Sequence, residues 1–170
     1  MFSFKIIRKI INLGPLILLY YLSVSEIDSH FENYFEILSF NIQLIIIYFW
    51  VSKRPEALGG GHIFFAGFLN DVIMGFPLGL SSLSYLTVSL VANYVKNMTV
   101  NTRITTDWFT FFIAIFFSNL IFFILLSNFS EIEINLTEIS YNTFFTLIFF
   151  PFFWFLFTFY NSIITTDKNA

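Results

Sequence analysis

Cysteine is absent from the 170 residues, charge is scarce, and no familiar catalytic motif can be found. Without cysteine there is neither a disulfide framework nor a thiolate site. Charged residues make up 11% of the chain, where an ordinary soluble domain carries about 25%. The sequence has no P-loop, no G-x-S-x-G elbow, no Ser-x-x-Lys and no H-E-x-x-H. Its two histidines, His30 and His62, form no spaced ligand pair. A nucleophile needs an activating base within reach, and the apolar segments offer none apart from Asp71. Nothing in the sequence calls for a cofactor, a metal or a nucleic acid.

What the chain does contain is apolar. Hydrophobic residues are 57% of it, 27 residues are Phe, and the mean hydropathy is +0.79. A soluble fold of this composition would lack the polar surface to stay dispersed. A bilayer crossing takes about 20 apolar residues, so several crossings use up most of the length. Six spans are predicted: Ile10 to Val24, Phe35 to Val51, Ile63 to Phe76, Leu80 to Val95, Trp108 to Leu126 and Tyr141 to Tyr160. Together they make residues 1–170 one polytopic transmembrane domain.

Charge placement supports this count. Lys5, Arg8 and Lys9 precede the first span, Lys53 and Arg54 follow the second, Lys96 and Arg103 separate the fourth from the fifth, and Lys168 follows the sixth. With both termini cytoplasmic, every basic residue is cytoplasmic, as the Lys/Arg bias of membrane proteins requires. The opposite loops carry Glu26, Asp28, Glu32 and Glu36, then Glu131, Glu133 and Glu138. Five or seven spans would put basic clusters on both sides. The third and fourth spans are short, and charge does not separate two true spans from a re-entrant hairpin. The polar residues within them argue for packing inside a bundle.

Asp71 stands out as the one acid expected inside an apolar run, here His62 to Phe76. A charge near the bilayer centre costs about 2.5–3.5 kcal/mol on insertion scales, so it requires a partner. Gly67, Asp71 and Gly75 are four residues apart and share one helix face. The glycines would let another helix come close, and Phe76-Pro77-Leu78-Gly79 would end the helix. In the fourth span, Ser81, Tyr85, Ser89 and Asn93 repeat every four residues and are expected to form a polar ridge. Such a ridge bonds to a neighbouring helix or lines a solute cavity; hydroxyls of Ser81, Tyr85 and Ser89 are the expected partners of Asp71. Gly59-Gly60-Gly61 is expected to be a slack connector. Trp50, Trp108 and Trp154 are expected near the interfaces. The alternating Glu131-to-Leu136 segment is expected to lie extended along the membrane surface.

The segment from Trp50 to Tyr94 resembles the rod shape-determining protein MreD family. The residues that carry the resemblance are Arg54-Pro55, then Gly67-x-x-x-Asp71-x-x-x-Gly75, then Pro77-Leu78-Gly79-Leu80 and Ser81-Ser82-Leu83. They cover about a quarter of the chain and are moderately specific. Asn70 departs from the pattern, which calls for an aliphatic residue. The resemblance implies an inner-membrane component of the bacterial cell-elongation machinery. It would associate with a single-span MreC-like protein, and through it with MreB filaments, RodA and a class-B penicillin-binding transpeptidase. The family is likened to the six-helix substrate-binding subunits of energy-coupling-factor transporters. The implied fold is therefore an all-α bundle of six transmembrane helices, and the alternative function is binding a small solute.

Overall fold

The apolar stretches form helices, and local signals bound two of them: Asn41 and Arg54-Pro55 flank one, and Gly75 ends another. The computed structural model describes residues 2–25, 40–98, 103–129 and 136–166. Its helices are α1 (Phe2–Val24), α2 (Ile42–Lys53), α3 (Gly60–Met74), α4 (Leu80–Met98), α5 (Ile104–Phe129) and α6 (Leu136–Thr166). Among the described residues every regular element is α-helical. His30, the acidic residues between 26 and 36, the segment 131–135 and Lys168 lie outside the described residues.

Among the described residues, two segments are long and apolar enough to cross a membrane: Ile104–Phe129 and Ile139–Ile164. The second helix differs from expectation at its start. It begins at Ile42 rather than Phe35, because the Asn41 side chain accepts the Leu44 N–H at 3.1 Å and caps it there. Its far end is fixed by Arg54-Pro55: a residue before proline is driven out of the helical region. At 12 residues α2 is short for a crossing, yet Leu44 to Ser52 are buried without interruption. Helices that are apolar all round belong in a core, and α2 is the core of this bundle.

Aromatic rings hold α2 against α5 and α6. Phe111 and Phe150 stack at 4.4 Å, and Tyr48 meets both edge-on at 5.2 and 5.8 Å. Trp50 is 1% exposed and packs on Phe157 and Tyr160, so its ring is part of the bundle core. Trp108 is exposed and donates its indole N–H to the Leu147 carbonyl at 2.9 Å. Gly60 and Gly61 form the first turn of α3, with Gly59 as its cap, so the glycine triplet is largely helix and not a slack connector. The outer faces of α5 and α6 remain apolar and exposed. Phe109, Phe112 and Phe116 lie on one, and Phe152, Phe155 and Phe159 on the other.

Candidate functional site

The motif residues Gly67, Asp71 and Gly75 all build the α3–α4 hairpin, each by a different physical means. Asp71 is fully buried. Its Oδ2 accepts the Gly79 N–H at 2.8 Å and its Oδ1 accepts the Ser81 N–H at 2.8 Å. A helix start leaves its first N–H groups without intrahelical partners and carries partial positive charge, so a carboxylate fits there. The Asp71 backbone carbonyl meanwhile accepts from Gly75 and, at 3.0 Å, from Phe76. This is the 6→1 closure of a Schellman-type helix end. One residue therefore closes α3 and opens α4. Its partners are backbone amides rather than the expected hydroxyls, because the tight turn delivers α4's unpaired N–H groups to the carboxylate first.

Gly67 does permit close approach. A Cβ there would stand 2.5 Å from Ser82 Cα and 2.6 Å from its nitrogen. Gly75 works otherwise: a Cβ would meet nothing within 4 Å, but its φ of 68° is left-handed. Gly79, with φ 99°, has the same need. Pro77 accepts the Leu80 N–H at 3.2 Å, and Leu78 is 65% exposed at the tip of the turn. Arg54 and Pro55 are not brought to this turn; they stand before α3, where the Arg54 N–H donates to the Trp50 carbonyl at 2.6 Å. Gly67→Leu is expected to abolish recovery of folded protein. Gly75→Ala should instead cost about 1–2 kcal/mol of left-handed strain, read as a shift in detergent unfolding. Equal effects would contradict the two roles.

The α4 ridge is real in its first half. Asn70 Nδ2 donates to Ser81 Oγ at 3.0 Å, Ser82 Oγ to the Phe64 carbonyl at 3.0 Å, and Ser84 bonds Ser118 of α5. Tyr85 is buried, Ser89 is half-buried, and Asn93 is exposed. A strict four-residue step overshoots the helical turn by about 40° each time, so the buried face runs Ser81, Tyr85, Val88, Ala92, Val95 instead.

A second buried acid escaped the sequence reading. Asp107 was placed just outside the fifth span, yet it lies in the first turn of α5 and is fully buried. Its Oδ2 accepts from Lys53 Nζ at 2.8 Å and from Trp154 Nε1 at 2.8 Å. Lys53 Nζ also stands 5.7 Å from the centre of the Trp154 ring, within cation–π range. Asp107 Oδ1 has no hydrogen-bond partner among the described residues. The cluster ties the end of α2 to the start of α5 and the middle of α6. The signal available in sequence was an acid and a base at span ends predicted on the same side.

At the opposite end of the bundle, where α2, α4 and α6 begin and α3 ends, there is a cavity of about 380 Å³. Five carboxamides line it: Asn41, Gln43, Asn70, Asn119 and Asn142. Ser81, Ser84 and Tyr85 add hydroxyls, and no charged side chain is among the described residues lining it. The amides come from elements far apart in sequence, and no local motif connects them. Asn70, the departure from the family pattern, is one of them.

No protein-family model, no curated protein and no solved structure matches this chain.

Proposed function

We propose that this chain is a non-enzymatic, six-span scaffold of the bacterial inner membrane that serves cell elongation and peptidoglycan synthesis. Its direct partner would be an MreC-like single-span protein, with MreB filaments, RodA and a class-B transpeptidase reached through it. The observation that carries the reading is the run from Arg54-Pro55 to Leu80, with its resemblance to the MreD family. The geometry supports it in two ways. Gly67, Asp71, Gly75 and Gly79 of that run each have a task in building the hairpin, which suits a motif that specifies a shape rather than a reaction. The exposed apolar faces of α5 and α6 suit lipid and a partner helix. Six helices and the one-sided placement of Lys and Arg support six crossings with both termini cytoplasmic. The test is depletion in a rod-shaped host. Rounded cells that regain rod shape with the intact gene, but not with Gly67→Leu, would support the proposal; cells that stay rod-shaped on depletion would refute it.

The amide-lined cavity favours a second reading, a small-solute-binding subunit of a transporter. Such a protein needs a polar cavity at the exterior end of its bundle, and this cavity lies at the end away from Lys53 and Lys96. Uptake of a solute lost on depletion, with cell shape intact, would select it over the scaffold.

A further inference from the structure

The cavity has a chemistry that the hairpin does not use. Two of its amides have a fixed orientation. Gln43 Nε2 donates to the Leu22 carbonyl at 3.0 Å. Asn119 Nδ2 donates to Thr143 Oγ1 at 2.6 Å, and that hydroxyl spends its own proton on the Ile139 carbonyl at 2.7 Å. Thr143 can therefore only accept from Asn119. Each nitrogen gives one of its two N–H groups to the protein, and that fixes Gln43 Oε1 and Asn119 Oδ1 as acceptors with no donor among the described residues. Gln43 and Asn119 are only half-buried where they line the cavity, so these oxygens are open to whatever fills it. A second wall is apolar: Phe76 and Phe122 meet edge to face at 5.7 Å, beside Met74.

We infer that this cavity binds an uncharged ring compound that presents hydrogen-bond donors along one edge. Donors on the ligand answer the Gln43 and Asn119 oxygens. Its ring face covers Phe76 and Phe122, through the π-face of a heteroaromatic base or the C–H face of a sugar. An ionised group finds no opposite charge among the described lining residues and loses its hydration on entry. The volume is at the small end of ligand cavities, about 300–1,000 Å³, which suits a ligand of monosaccharide to nucleoside size. The inference does not rest on the scaffold reading: a scaffold that senses a ligand and a solute-binding subunit would both carry such a site.

The test uses the full chain in lipid nanodiscs and equilibrium dialysis with labelled adenosine and D-glucose, beside adenosine monophosphate and glucose 6-phosphate. Saturable one-to-one binding of either neutral probe is expected, with its phosphorylated counterpart at least about tenfold weaker. Gln43→Met, which nearly conserves volume, and Asn119→Leu should each weaken the neutral probe about tenfold or more, while Phe116→Leu on the outer face leaves it unchanged. Adenosine binding would mark the heteroaromatic class and glucose binding the sugar class; either supports the site. Binding of neither neutral probe overturns it. So does equal binding of the phosphorylated forms, a comparison that needs no variant, or unchanged affinity in folded Gln43→Met and Asn119→Leu. Complementation of cell shape, measured separately, is not altered by these outcomes.

Discussion

Asp71→Leu is expected to lower the stability of the bundle by about 3–5 kcal/mol, the loss of two charge-assisted hydrogen bonds together with two amides left bare. The carboxylate at present satisfies the Gly79 and Ser81 N–H groups, and Ser81 is buried. Leucine fills a similar volume, which separates the polar loss from a cavity effect. Asp71→Asn should fall between the two, because its one oxygen can serve one amide while its NH₂ faces another donor. Unfolding in mild detergent, followed by tryptophan fluorescence against added SDS, reads the order wild type, Asn, Leu. A Leu variant as stable as wild type would show that the capping bonds contribute nothing.

The second large effect is expected at Lys53. Lys53→Met removes the charge that balances Asp107 and leaves a fully buried carboxylate held by Trp154 alone. Breaking a buried pair by removing one partner costs about 3–5 kcal/mol; the Lys53 side chain is 18% exposed, which places the loss near the lower figure. Removing both charges should cost much less, since an apolar pair of similar size is often neutral there. The expected signature in a double-mutant cycle is therefore a Lys53→Met, Asp107→Leu protein more stable than Lys53→Met alone. Additive losses would mean that the pair is solvated and structurally idle.

The hairpin was legible in sequence because it is local. Gly67, Asp71, Gly75 and the Pro77-Leu78-Gly79 turn fall within 13 residues, and their spacing alone places them on one helix face and one turn. What spacing did not distinguish was the task of each: both glycines were read as close-approach sites, and Gly75 turned out to be needed for its positive φ. The polar ridge was legible for one turn and then drifted, since four residues exceed a helical turn. Asp107 was missed because its partners, Lys53 and Trp154, are 54 and 47 residues away, and a lone acid before an apolar run reads as a loop charge. The cavity was illegible for the same reason. Its amides come from elements as far apart as Asn41 and Asn142, and only packing brings them together. The burial of Trp50 was also illegible: the unbroken buried run from Leu44 to Ser52 marks the core, and a hydropathy window does not tell core from lipid.

Both readings of function rest on six crossings with the α3–α4 turn outside, and single cysteines in this cysteine-free chain test that most directly. The exposed positions Leu78 and Asn128 lie at one end of the bundle, Glu56 and Asn97 at the other. Ser52 is unsuitable, being buried and bonded to the Phe49 carbonyl. In intact cells an impermeant thiol reagent is expected to label Leu78→Cys and Asn128→Cys, and to reach Glu56→Cys and Asn97→Cys only after the membrane is opened. Labelling of position 56 or 97 from outside, or protection of position 78, would contradict the account.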